Sequence, residues 1–301
     1  MSSKKKWTDE DITDQSGRVA IVTGANSGIG NETARALANR GATTILAVRN
    51  MEAGKSAVER INNEATKAQC EAIHLDLSSL ASVRSFAEAF RQKYQKLDLL
   101  INNAGVMVPP YSKTEDGFEL QFGVNHLGHF ALTGLLLDLI LKTPNSRIVT
   151  VSSMAHRYGE ITFDDLNREA DYKPMPTYGQ SKLANLLFTY ELQRKLDGKD
   201  TGTIAVAAHP GWTATELQRH SGLINFLNRF FAQTPREGAW PTLYAATEND
   251  VNGADYYGPN GFYEMRGHPK RVRSNDKSQD EAVASRLWNV SEELTGVTFP
   301  L

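Results

Sequence analysis

The sequence predicts an α/β fold in a single domain, built on a doubly wound parallel β-sheet. Short β-branched runs alternate along the chain with segments of helical spacing, and a turn with three glycines follows the first run. The runs show no clean alternation of polar and apolar residues, which is typical of parallel strands buried on both faces. Right-handed crossovers between such strands give the doubly wound arrangement.

The individual elements follow from residue type and spacing. The β-branched runs predict strands at 18–23, 43–48, 71–75, 97–101, 147–152 and 203–208, and the intervening segments predict helices at 32–40, 53–64, 80–94 and 118–141. Residues 254–263 predict a late strand or hairpin, because Pro259-Asn-Gly has turn chemistry. No repeat or linker divides the chain, so we predict one domain over 17–301 after a disordered or loosely packed tail at 1–16.

Composition excludes several classes of function. The 301 residues carry a net charge of −2, which provides no basic field for nucleic acid and no polybasic membrane anchor. No apolar run is expected to reach the ~18–20 residues of a membrane span, and residues 1–15 lack a signal-peptide stretch. The single cysteine, Cys70, forms no internal disulfide, as in a reducing compartment. We expect a soluble cytoplasmic protein.

The glycine-rich turn predicts a dinucleotide site. It follows a strand and opens a helix, the context in which such a motif is meaningful. Glycines let the backbone approach a diphosphate, and the free N–H groups of a helix N-terminus meet its charge. A plain strand-to-helix turn needs one glycine and rarely three. The predicted binding residues here are Gly24, Asn26, Ser27, Gly28, Ile29 and Gly30.

The end of the second predicted strand favours NADP over NAD. A carboxylate about 20 residues past the glycines would bind a ribose 2′-hydroxyl, but Leu46-Ala-Val-Arg-Asn50 has none and presents Arg49. A guanidinium suits a 2′-phosphate; the alternative is an arginine that caps the strand end in solvent. Asp76, followed by Leu77 after the third strand, is placed to accept from the adenine amino group.

Tyr178 and Lys182 form a candidate acid–base pair. They are four residues apart, so they share a helix face. An ordinary phenol titrates near ~10, and we expect the Lys182 charge to lower the pKa of Tyr178 towards neutral pH, as carbonyl reduction requires. Tyr172 is not a rival because Pro176 occupies the position four residues on. Four of the seven histidines, His126, His129, His156 and His209, are potential metal ligands, but they lack metal-ligand spacing. No metal site is therefore predicted, and His156 is a weak substrate-side candidate.

Several motifs together resemble the short-chain dehydrogenase/reductase family. They are Thr23-Gly-x3-Gly-x-Gly, Asn102-Asn-Ala-Gly105, Val124-Asn-His-Leu-Gly, Ser153, Tyr178-x3-Lys and Pro210-Gly211, and they span nearly the whole chain in the family's order. The resemblance implies a Rossmann-type fold with a catalytic set of Asn125, Ser153, Tyr178 and Lys182.

The resemblance also implies roles for these residues. Ser153, with Ser152 as its competitor, would donate to the substrate oxygen. Lys182 would bind the nicotinamide ribose, and Asn125 would hold a water that relays protons from Lys182. Further cofactor contacts are implied for Asn103, Ala104, Gly105, Pro210, Gly211, Thr213 and Thr215. For Asn103 a structural role is equally open. A homo-oligomer, dimer or tetramer, is also implied.

The segment Tyr178–Asn185 and the insert before it resemble the retinol dehydrogenase and WW-domain oxidoreductase branch. This implies reversible hydride transfer between NADP(H) and an apolar aldehyde or ketone, with substrate loops at 155–177 and 212–235. The apolar stripe at 222–232 predicts either a helix packed on the core or a substrate lid. Two alternatives remain. One is an epimerase or dehydratase of the short-chain dehydrogenase/reductase (SDR) type, which usually has a Gly-x2-Gly-x2-Gly turn. The other is an NADP-binding sensor or scaffold without turnover.

Overall fold

The computed structural model describes residues 6–64, 68–213 and 233–301, and its eight strands form one sheet. The strands are β1 Val19–Thr23, β2 Thr43–Val48, β3 Gln69–His74, β4 Leu99–Asn102, β5 Arg147–Val151, β6 Ile204–Ala208, β7 Tyr256–Pro259 and β8 Pro269–Arg271. Their order is β3-β2-β1-β4-β5-β6-β7-β8. The first seven run parallel and β8 pairs antiparallel with β7. The predicted doubly wound parallel sheet is confirmed.

The helices fill the crossovers between these strands. They are α1 Gly28–Asn39, α2 Met51–Glu64, α3 Leu80–Lys93, α4 Leu120–Phe122, α5 Gly128–Lys142, α6 Pro174–Leu196, α7 Pro235–Thr247 and α8 Glu281–Thr295. A π-helical segment, Gly123–Leu127, joins α4 to α5. Helix α1 begins one turn before the predicted start at Glu32, because the glycine turn itself supplies its first residues.

Both faces of the sheet are buried, which explains why its strands lack alternation. Ile21 of β1 belongs to a core with α3, α5 and α6, whereas its neighbours Ala20 and Val22 belong to a core with α1, α2 and α7. Successive strand side chains point to opposite faces, so a strand covered on both sides needs apolar residues at every position.

Two prolines stand inside α6 where the sequence predicted loop. Pro174 is the first residue of the helix, four positions before Tyr178, and Pro176 also lies in the first turn. The first turn of a helix needs no N–H donors for its own ladder, so proline is tolerated there. The predicted loop at 155–177 therefore ends four residues earlier than expected, at Lys173.

The described part of the N-terminal tail, residues 6–16, differs from the predicted disordered or loosely packed tail. Residues 6–16 pack on the domain: Ile12 is 2% exposed, and Asp9 starts a short 3₁₀ helix capped by Thr8. The Asp9 carboxylate accepts hydrogen bonds from Arg236 (2.9 Å) and Trp240 (3.0 Å) on α7. These partners lie more than 220 residues away in sequence, so no local pattern could reveal them.

The stretch Leu120–Lys142 corrects the expectation that no apolar run reaches the length of a membrane span. It is 23 residues long, its most apolar window has a mean hydropathy of 1.4, and by length and composition it could cross a membrane. Of that window, 83% is buried within the protein. The core helix of a soluble protein has the same properties, and here Phe130 packs against Phe188 and Trp288.

Candidate active site

A cleft of about 870 Å³ opens at the carboxyl ends of the parallel strands. It spans the point where the strand order reverses, between β1 and β4, and ligands of open α/β sheets bind at such a point. The segments following β1 to β6 all line it. The predicted cofactor residues on its wall are Gly24, Asn26, Ser27, Gly28, Ile29, Gly30, Arg49, Asp76, Leu77, Asn103, Ala104, Gly105, Tyr178, Lys182, Pro210, Gly211 and Thr213. Thr215 and the segment 222–232 lie outside the described residues.

The glycine turn fits a dinucleotide pyrophosphate. Gly24 and Gly28 have φ of +67° and +59°, a conformation that favours glycine. A Cβ on Gly30 would lie 2.5 Å from the Gly24 carbonyl oxygen. Ser27 precedes α1 without a side-chain cap bond, and the first turn carries no acidic residue. The N-terminal N–H groups of α1 therefore suit an anion in the cleft.

Asn103 has a structural role, and it also lines the cleft in which a cofactor contact is predicted. Its side chain donates to the Thr23 carbonyl (2.8 Å), and the Thr23 hydroxyl accepts the backbone N–H groups of Asn103 and Ala104 (2.9 Å each). These bonds hold the ends of β1 and β4 together. Asn103 also lines the cleft, so bracing and lining occur in the same residue.

Arg49 and Asp76 mark the end of the cleft formed by β2 and β3. Arg49 is exposed on the cleft wall, and within the described residues no carboxylate lies at ion-pair distance from it. Asp76 contributes the only carboxylate among the described lining residues. Its Oδ1 accepts from the N–H (2.9 Å) and the hydroxyl (2.6 Å) of Ser78, which fixes the carboxylate.

Tyr178 and Ser153 both line the opposite wall of the cleft, where the Ser153 side chain is close enough to favour the ionised form of the phenol. Ser152 is separated from them: it is buried, and its hydroxyl donates to the Lys182 carbonyl (2.8 Å). Of the two candidate serines, only Ser153 influences the ionisation of Tyr178 in this arrangement. The pair can pass a proton to, or take one from, an oxygen atom placed beside it.

The pKa values of Tyr178 and Lys182 depart from the expected pattern. Burial raises the pKa of Tyr178 to about 12. The neighbouring Ser153 side chain lowers this pKa, but by less. Burial lowers the pKa of Lys182 to about 8. Desolvation of the phenolate thus outweighs the expected effect of the Lys182 charge, and the pKa of Tyr178 is raised rather than lowered.

Asn125 lies behind the cleft and does not line it. Its side chain is occupied by protein groups: Oδ1 accepts the Val106 N–H (2.8 Å), while Nδ2 donates to the Val106 carbonyl (3.0 Å) and the Ser181 hydroxyl (2.9 Å). Ser181 in turn donates to the Tyr178 carbonyl (2.8 Å). The side chain therefore braces the β4 loop against α6, and the predicted contact of this side chain with a water is not supported.

A buried histidine joins that carbonyl to the glycine turn. His129 Nδ1 lies 3.0 Å from the Asn125 carbonyl oxygen, and Nε2 lies 2.9 Å from the Thr23 hydroxyl. A carbonyl only accepts, so Nδ1 carries the hydrogen and Nε2 accepts from Thr23. Burial lowers the pKa of His129 to about 4, in keeping with this neutral form.

His156 makes structural contacts, and one wall of the cleft was not predicted from the sequence. His156 Nδ1 bonds to the Ser153 carbonyl (2.7 Å) and its Nε2 accepts the Asn275 N–H (3.2 Å), so its ring is occupied away from a substrate. Tyr263 and Met265, which follow β7, line the cleft. No motif points to them, since only the folding of β7 beside β6 brings them there.

Comparison with known proteins identifies the family. The model of the short chain dehydrogenase family matches residues 18–223. The chain is 44% identical over 288 residues to retinol dehydrogenase 12 of Mus musculus, covering 94% of this chain and 88% of that protein. It is 45% identical over 284 residues to retinol dehydrogenase 11 of Homo sapiens, covering 93% and 86%.

Solved structures agree with this assignment. A crystal structure of a protein from Mycobacterium Paratuberculosis has a TM-score of 0.84 and 44% identity, covering 99% of this chain and 100% of that one. The Pseudomonas aeruginosa RhlG/NADP active-site complex, at 24% identity and a TM-score of 0.64, covers 81% and 94% and shares the fold. The chain therefore belongs to the short-chain dehydrogenase/reductase family, in its retinol dehydrogenase-like branch, and is a nicotinamide-dependent oxidoreductase of alcohol and carbonyl groups.

Proposed function

We propose that this protein catalyses reversible hydride transfer between NADP(H) and an apolar aldehyde or ketone and its alcohol. The observation that carries the proposal is the placement of Tyr178, Ser153 and Lys182 on the wall of the cleft that the glycine turn also lines. The nicotinamide, when bound, supplies the hydride, and the protein supplies placement, protons and charge.

In the direction of reduction, Tyr178 donates its proton to the substrate oxygen as negative charge develops there. Ser153 donates a hydrogen bond to the same oxygen and holds it in place. The Lys182 ammonium, buried beside the phenol, stabilises the phenolate that is left. Asn125 and Ser181 keep the Tyr178 turn of α6 fixed against the β4 loop.

NADP is favoured over NAD by charge at the end of β2. Arg49 stands exposed on the cleft wall, the sequence there has no carboxylate for a ribose 2′-hydroxyl, and a guanidinium matches a phosphate. The apolar substrate is supported by the wall near Tyr178, which is rich in thioether and aromatic side chains. These are Met107, Met154, Tyr158, Met175, Trp212, Tyr263 and Met265.

The test is NADPH consumption with a panel of aldehydes and ketones. Tyr178→Phe removes one hydroxyl and is expected to lower kcat about 10³-fold, as loss of a general acid does, with NADPH affinity retained. Tyr190→Phe is the matched control, because Tyr190 lies on the same helix and its hydroxyl bonds to Ser274 outside the cleft. NADPH binding without turnover of any carbonyl would instead support the sensor. The cytoplasmic location and the oligomer remain predictions.

A further inference from the structure

The segment Phe262–Met265, between β7 and β8, forms one side of the substrate half of the cleft. Tyr263 and Met265 line the cleft, and the Met265 carbonyl accepts the Trp212 N–H (2.7 Å). A Cβ on Gly211 would collide with the same carbonyl. The segment therefore packs directly on the loop after β6 that carries Pro210 and Gly211.

Its backbone adopts a conformation that must be held in place. Tyr263 and Glu264 have φ of +47° and +59°, in the left-handed region that residues other than glycine rarely adopt. Such a conformation persists where the surroundings determine it. Meanwhile the Tyr263 side chain is 73% exposed at the cleft mouth, so its own packing does not hold it.

The Glu264 carboxylate helps to hold the backbone of this segment in place. Its Oε2 lies 3.2 Å from Arg157 Nη2 and 3.3 Å from His209 Nε2. His209 is buried, and its Nδ1 accepts the Gly211 N–H (3.2 Å), so Nε2 carries a hydrogen; Nε2 lies close to Glu264 but makes no hydrogen bond of good geometry. One carboxylate thus bonds to the segment that follows β5 and lies against the histidine that follows β6.

We infer that Glu264 is a positioning residue that fixes Tyr263 at the cleft mouth, and that Tyr263 determines selectivity for carbonyl compounds with long apolar chains. The inference rests on the proposed function. A long chain bound with its carbonyl at Tyr178 must leave the cleft past the exposed Tyr263 ring and cover it, whereas a short chain does not extend that far. Covering apolar surface favours the long substrate.

The test compares decanal with propanal at saturating NADPH. Tyr263→Ala is expected to lower the ratio of their kcat/KM values about tenfold. Glu264→Gln, which keeps size but removes the charge, should lower the ratio similarly without touching the substrate. Because Glu264 acts through Tyr263, the double variant should show no further loss of selectivity. Tyr111→Ala, at an exposed tyrosine that does not line the cleft, is the control.

The outcomes distinguish a failure of this inference from a failure of the proposed function on which it rests. Normal turnover with an unchanged ratio in Tyr263→Ala, or equal losses for both aldehydes, would overturn the inference alone. Wild-type protein that binds NADPH and reduces neither aldehyde would overturn the proposed function. In that case decanol binding to the NADP⁺-loaded protein, measured by calorimetry, decides: weaker binding by Tyr263→Ala supports the inference, and equal binding refutes it.

Discussion

The Lys182 ammonium lies 5.8 Å from the centroid of the Tyr178 ring and donates a hydrogen bond to the Val151 carbonyl (3.0 Å). Lysine and phenol are therefore close, while the ammonium is anchored to β5. Burial moves their pKa values in opposite directions, to about 8 for Lys182 and about 12 for Tyr178. In the free enzyme the lysine loses its proton before the tyrosine does.

This order predicts the pH dependence of reduction. Below pH 8 Lys182 is charged and stabilises the phenolate that forms when Tyr178 donates its proton. As pH rises through about 8, Lys182 becomes neutral and kcat/KM should fall, while Tyr178, with its pKa about 12, stays protonated. Rates at subsaturating NADPH and aldehyde report the free enzyme. A profile that stays flat to pH 10 would contradict the assignment of this ionisation to Lys182.

Arg49→Ala tests the preference for NADP. Loss of a charge-assisted hydrogen bond to the 2′-phosphate should weaken NADPH binding about 30-fold, with much less effect on NADH, which lacks that phosphate. Dissociation constants from fluorescence titration provide the comparison. Arg273→Ala removes an exposed arginine that follows β8, and it controls for the loss of one positive charge. Equal losses for the two cofactors would show that Arg49 does not recognise the phosphate.

Gly30→Ala tests the glycine turn. Its Cβ would lie 2.5 Å from the Gly24 carbonyl oxygen and from Asn103 Nδ2, so the turn must shift. We expect NADPH affinity to fall at least tenfold, or by about 1.4 kcal/mol. Gly198→Ala is the control: its φ of +83° strains an alanine there, but a Cβ meets nothing within 4 Å and Gly198 does not line the cleft, so the variant reports general strain alone. If both variants bind NADPH equally well, the turn does not hold the cofactor closely.

Asn125→Ala tests the brace between the β4 loop and α6. The change leaves the Val106 N–H and carbonyl without their partner and frees the Ser181 hydroxyl. Each unpaired buried group costs about 1–3 kcal/mol, so the free energy of unfolding should fall by about 3 kcal/mol in urea denaturation. A loss below about 0.5 kcal/mol would be typical of a surface site and would contradict the brace.

The sequence alone determined the parallel sheet, the alternation of its first six strands with helices along the chain, and the local motifs at the cleft. The three glycines and Tyr178-x3-Lys182 are recognisable because turns and helix faces depend on residues only a few positions apart. The buried strands were recognisable because a sheet covered on both faces requires apolar residues throughout.

The tertiary structure decided what depends on distant segments. The packing of Asp9 on α7, the occupied side chain of Asn125 and the Tyr263 wall held by Glu264 all join residues far apart in the chain. The pKa values of Tyr178 and Lys182 belong here too. A residue pair predicts attraction between charges, but only the surrounding protein determines how much water each group loses, and that loss dominates both values.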